Sequence, residues 1–146
     1  MRLFHLMPLI VLSLAACSKG TQQPDSDRAA PAAAPMTTEE RLNAPANAEN
    51  GQKLFMACAI CHDVKEGVGH RVGPNLFGVY GAPAARFDDF AYSQGLLNSG
   101  LTWDDATLDA YLERPTAVVP RGRMAYAGEP NAANRRDMIA YLKTLQ

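Results

Sequence analysis

The chain is short of almost everything that would mark a disulfide framework or a nucleic-acid binder. It has three cysteines, an odd number and too few for a disulfide framework. It has one tryptophan, three histidines and a net charge of −1 from 14 basic and 15 acidic residues. That balance excludes a strongly basic nucleic-acid-binding protein and a polyacidic tail. No apolar run is long enough to span a bilayer, because the longest, Leu3 to Ala16, has 14 residues and is broken by Pro8. No internal repeat and no strand-like alternation is present. What remains is a chain of 146 residues, 47% hydrophobic, sized for one small domain.

The apolar run fits a secretory leader, with Met1-Arg2 as its basic start. It ends in Leu14-Ala15-Ala16-Cys17, which resembles the lipobox of bacterial lipoproteins. That resemblance implies cleavage after Ala16 and diacylglycerol on Cys17. Residues 1–16 are therefore expected to be a signal peptide, with His5 lost along with it. Residues 17–45 carry Pro24, Pro31, Pro35 and Pro45 among many alanines. They are expected to form an extended or disordered linker, which over 29 residues spans about 30 Å root-mean-square. Residues 46–146 are expected to be the folded domain.

Within it, Asn47 suits the N-cap of a helix whose apolar face is Gly51, Leu54, Phe55 and Cys58. Glycine and proline recur from Asp63 to Ala91, which reads as loop. Ser93 to Leu97 suits a short helix. Thr102-x-x-Asp105 reads as a capping box opening a helix that ends before Pro115. Asn131 suits the cap of a last helix with Met138, Tyr141, Leu142 and Leu145 on its apolar face.

Cys58-Ala59-Ile60-Cys61-His62 is the attachment pattern of a c-type haem. Two thiols three positions apart can each add across a vinyl group, and His62 follows as an axial iron ligand. A zinc site would need a further ligand pair, and no cysteine is spare. A thioredoxin-type pair would need a βαβ context. Methionine is the usual second ligand for electron transfer. Met1 and Met7 fall in the leader and Met36 in the linker. Met56 lies on the attachment helix, and Met138 lies on the apolar stripe of the last helix. Met124, in the irregular stretch 120–124, is the remaining candidate. His70, eight residues after His62 in a loop, is expected to bond backbone rather than iron.

These residues, with Gly73-Pro74-Asn75-Leu76, Gly78, Gly81, Pro115, Pro120 and Gly128, resemble the class I cytochromes c of small mitochondrial and bacterial type. The resemblance implies an all-α fold whose first and last helices cross while loops wrap a single haem c. It implies that the Pro74 carbonyl accepts from Nδ1 of His62 and that Gly51 and Phe55 cross Met138 and Tyr141. Tyr92 and Trp103 would donate to a haem propionate, Tyr111 would point at the Met124 sulfur, and Tyr126 would line the exposed haem edge. The chain departs from the family at Ala82, where an arginine often neutralises a propionate, and Arg86 is the candidate to reach there instead. It also departs at Leu96 and at Gly122-Arg123.

The function implied is one-electron transfer between membrane-bound or periplasmic donor and acceptor complexes. No enzymatic reaction, nucleic-acid partner or oligomerisation of the domain is expected. The place of action would be the periplasmic side of a bacterial membrane, inner or outer. The competing readings are a haem peroxidase or gas-binding protein with an open iron site, and a fixed electron-transfer subunit of one oxidoreductase.

Overall fold

The computed structural model describes residues 37–146, within the unit Pro35–Gln146. Cys17, the leader and most of the linker lie outside the described residues. Among the described residues six helices follow in order: α1 Thr38–Asn43, α2 Ala48–Phe55, α3 Gln94–Leu97, α4 Asp105–Glu113, α5 Pro115–Val118 and α6 Ala132–Lys143. Among the described residues there is no strand, only an isolated antiparallel bridge between Pro83 and Thr102.

Helix α2 starts where the Asn47 side chain accepts from the Asn50 amide at 3.0 Å. It crosses α6 at Gly51, whose missing side chain is required there. A Cβ would lie 1.9 Å from the Asp137 carbonyl oxygen and 2.9 Å from the Tyr141 Cβ. Asp137, buried in α6, binds the start of α2. Its carboxylate accepts from the Asn47 amide at 2.9 Å and from Asn50 Nδ2 at 2.7 Å. Phe55 and Tyr141 meet with ring centroids 5.2 Å apart. The core is Phe55, Val79, Trp103, Leu108, Leu112, Met138, Ile139, Leu142 and Leu145.

Two expectations need correction, and a third holds with an addition. Residues 38–43 of the supposed linker are helical. A complete capping box between Thr37 and Glu40 starts α1, and Arg136 Nη1 of α6 donates to the Leu42 carbonyl at 2.8 Å. The cap of α4 is Asp104, whose carboxylate accepts from the Thr107 amide at 2.8 Å, and not Thr102, which the bridge to Pro83 holds extended. Pro115 does end α4, but it also opens α5 at a position where the missing N–H costs nothing.

The last helix also buries polar groups that an apolar stripe does not reveal. Arg135 has a side chain only 7% exposed. Its Nε donates to Asp109 at 2.8 Å and its Nη1 to the Glu129 and Pro130 carbonyls at 3.0 Å each. This ties the entry of α6 to α4. The long irregular stretch is organised by buried Asn75. Its Nδ2 donates to Lys65 and Val68 carbonyls at 2.8 and 2.7 Å, and its Oδ1 accepts from the Phe77 amide at 2.8 Å.

Candidate haem site

The attachment segment continues the helical path beyond α2. The Ala59 amide bonds to the Phe55 carbonyl, and the His62 amide to the Cys58 carbonyl, each at 2.9 Å. Cys58 and Cys61 are free thiols, both half-buried. Burial pushes the Cys58 thiol up, with Cys61 adding to the shift.

His62 is fixed by its neighbours. Nδ1 lies 2.7 Å from the Pro74 carbonyl oxygen. A carbonyl only accepts, so Nδ1 carries the proton and Nε2 keeps its lone pair. Burial holds the imidazole below the usual histidine range, which also keeps it neutral. The ring rests against Gly73, where a Cβ would stand 2.4 Å from Cε1. Gly73 is in turn fastened to the attachment segment by its amide, which donates to the Cys61 carbonyl at 2.8 Å. Nothing local in the sequence marks this demand on Gly73, which reads there only as half of a glycine-proline pair.

Met124 sits in a loop pinned at both ends. On the entry side α3 packs so closely that a Cβ on Gly95 would lie 2.4 Å from the Pro120 carbonyl oxygen. Val119 is 1% exposed. On the exit side Gly128 has φ +103° and would place a Cβ 2.0 Å from the Glu113 carbonyl oxygen. The Glu129 amide then bonds to the Leu112 carbonyl at 2.8 Å. Between these pins Arg123 donates to the Ala91 carbonyl. The Tyr111 hydroxyl donates to the Met124 sulfur at 3.9 Å, and burial pushes that phenol up. Tyr111 also packs on Trp103, with centroids 4.9 Å apart.

Tyr126, Cys58 and Tyr111 all pack against the same core cluster. Tyr126 is close enough to the Cys58 thiol for its own phenol to be pushed up by it, after burial. Tyr92 is half-buried against Phe90 at 4.8 Å, its phenol raised mainly by burial. Arg86 donates to the Gly78 carbonyl at 2.7 Å and to the Phe77 carbonyl, and lies over the Phe87 ring at 4.4 Å. Two of its five N–H donors are thus used on these carbonyls. His70 bonds backbone, accepting at Nδ1 from the Asn75 amide at 3.1 Å, and its Nε2 lies 3.0 Å from Asp89.

The donor set fits a covalently attached haem. Two thiols sit one turn apart, an imidazole has its outer nitrogen protonated and its inner one free, and a thioether is held by a phenol. Cys58 and Cys61 would form the thioether links and His62 would ligate the iron.

The model of the cytochrome c family matches residues 48–146. Cytochrome c2 of Rhodoblastus acidophilus is 46% identical over 92 residues, which is 63% of this chain and 86% of that protein. Cytochrome c2 of Rhodomicrobium vannielii is 47% identical over 94 residues, covering 64% and 75%. The solved structure of cytochrome cH from Methylobacterium extorquens superposes with a TM-score of 0.63 at 41% identity, covering 67% of this chain and 98% of that one.

Proposed function

The chain belongs to the cytochrome c family of electron-transfer proteins, with haem c bound through Cys58 and Cys61, and we propose that it is a His62/Met124-ligated carrier tethered to a membrane through Cys17. The bound haem supplies a one-electron ferric–ferrous couple. The protein's part would be to hold the His62 and Met124 donor atoms still, so that little rearrangement accompanies the change of charge. Pro74 and Gly73 fix the His62 ring. The pinned loop and Tyr111 fix the Met124 sulfur, and this hydrogen bond is the observation that carries the reading. A thioether has two lone pairs, so the phenol engages one and leaves the other for the iron. A gas-binding or peroxidatic site would instead leave the position open, and would need a mobile sulfur. The apolar leader ending at Cys17 and the Pro/Ala-rich chain behind it support export and a lipid anchor on the periplasmic side of a bacterial membrane, where donor and acceptor complexes are reached.

The ligation is tested by Met124→Ala. The ferric holoprotein should lose its weak red sulfur-to-iron absorption band and bind imidazole, and the ferrous form should bind carbon monoxide. Its potential should fall, because thioether ligation favours the ferrous state. A band that survives the substitution refutes Met124 as the ligand.

A further inference from the structure

We propose that the turn at 119–122 is a two-register switch beside Met124, in which backbone strain at Arg121 biases the loop towards withdrawing the sulfur and letting a small neutral ligand take its place. The inference rests on the Met124 reading and adds how this chain's own backbone limits the hold on that residue. Two residues other than glycine have a positive φ among the described residues, Ala85 at 54° and Arg121 at 61°. Arg121 stands three positions before Met124.

The Gly122 amide donates to the Val119 carbonyl at 3.0 Å, which closes a four-residue turn with Pro120 and Arg121 at its centre. Proline at the first central position and a positive φ at the second make it a type II turn, whose second position favours glycine. An L side chain there crowds the following carbonyl and strains the backbone. The Arg121 side chain is exposed, so burial does not hold it in place. The surroundings impose the turn instead. A Cβ on Gly95 would lie 2.4 Å from the Pro120 carbonyl oxygen, Val119 is 1% exposed, and Arg123 donates to the Ala91 carbonyl. Strain of this kind persists only where the packing around it over-determines the conformation.

Glycine is present, but one residue late. Gly122 follows the strained position, and its own φ lies outside the left-handed region. Moving the turn forward by one residue, to 120–123, would give the positive φ to Gly122 and return Arg121 to ordinary backbone. The Pro120 carbonyl would then accept from the Arg123 amide, and the Gly122 amide would lose Val119. Arg123 would be drawn off the Ala91 carbonyl. Met124, next in the chain, would leave the Tyr111 hydroxyl that donates to its sulfur at 3.9 Å. The observed register is the resting one, because the Gly95 contact, the Arg123 bond and the Tyr111 bond all act against the strain. A ligand that needs the place of the sulfur binds the second register alone, so it draws the population there.

The test uses the full-chain ferric holoprotein in detergent with imidazole, a neutral ligand that does not itself sense the charge of residue 121. Arg121→Gly relieves the strain while giving the open loop more freedom, so it should weaken imidazole binding about fivefold, somewhat less than the full factor for a left-handed residue. Arg121→Ala removes the same charge and keeps the strained angle, so its affinity should stay within about twofold of wild type. Without imidazole all three proteins should keep the red absorption band. In the wild-type imidazole complex, residue-resolved hydrogen exchange should find the Gly122 amide open and the Arg123 amide protected, whereas the free protein protects Gly122. An Arg121→Gly variant that binds imidazole as tightly as wild type overturns the inference alone. So does an Arg121→Ala variant weakened as much as Arg121→Gly, because charge and not strain would then be responsible. Free exchange of both amides in the complex overturns the second register and the switch with it. A wild type without the red band overturns the Met124 reading, and the inference falls too.

Discussion

At the scale of single residues the site depends on what is absent as much as on what is present. His62 was legible as a candidate ligand because Cys-x-x-Cys-His is a local pattern. The Pro74 contact was legible only through the family resemblance, because it joins residues twelve apart through a loop with no periodicity. The requirement for glycine at position 73 was not legible. It comes from a ring that arrives from another segment, and nothing local marks it. A Cβ there would stand 2.4 Å from His62 Cε1 and 2.7 Å from Nδ1. Gly73→Ala must therefore displace the ring or the Pro74 carbonyl. We expect the yield of correctly ligated holoprotein to fall and the potential of the remainder to shift. Spectroelectrochemical titration of the variant checks this, and an unchanged potential with full yield would show that the ring tolerates the displacement.

The elements divide by where their determinants lie. Helices α2, α3 and α6 were legible at their starts because Asn47, Ser93 and Asn131 cap locally. The cap of α4 was misplaced by two residues, because Thr102 and Asp104 both offer a capping oxygen and only the distant Pro83 decides between them. Helix α1 was missed because it has little apolar surface of its own. Its capping box and its contact with α6 hold it. The crossing of α2 and α6 was legible as a pairing, though not as the severity of its contact. Gly51→Val would drive a branched side chain into the Asp137 backbone, 1.9 Å from where even a Cβ would stand. Overpacking of this kind costs about 3 kcal/mol or more. In a domain of this size that lowers the melting midpoint by roughly 12–24 °C, to be read by calorimetry of the holoprotein.

A second element-scale prediction concerns the link between α4 and α6. Lys143 Nζ lies 2.6 Å from Asp105, and Tyr80 donates to the same carboxylate at 2.7 Å. Bonding from Lys143, then from Tyr80, holds the Asp105 carboxyl below its usual range. The same bond holds the Lys143 ammonium above its usual range. A lowered carboxyl contributes stability above its unfolded value and loses it as pH falls through the folded one. A raised ammonium contributes below its unfolded value and loses it as pH rises through the folded one. The link therefore acts across neutral pH and fades at both extremes. Both groups are solvent-exposed, so the effect is small. Lys143→Gln should lower the midpoint by a few degrees at most at pH 7, and the difference should vanish below the lowered range of Asp105. A difference that persists in strong acid would show that packing over the Tyr80 ring, 4.7 Å from Nζ, is responsible instead.

For the molecule as a whole, composition determined what the described structure does not reach. A net charge of −1 leaves little net field to draw a partner in, so electrostatic steering should be modest. The proposed attachment to the same membrane as the partners would raise local concentration without any new contact. Because Arg136 fastens Leu42 to α6, residues 38–43 belong with the folded domain and not with the linker expected from the sequence. One acyl chain would hold the proposed anchor only marginally, whereas the two of a diacylglycerol would hold it stably. Cys17→Ala should therefore move the holoprotein from the membrane to the soluble fraction, or leave it with an uncleaved leader, with its absorption spectrum unchanged. Its oxidation by membranes should then depend on bulk concentration, while that of the wild type should not. Intact-mass analysis of the wild-type protein decides the matter directly. An N-terminus at Cys17 carrying diacylglycerol supports the anchor, and one cut after Ala16 without lipid refutes it while leaving the electron carrier intact.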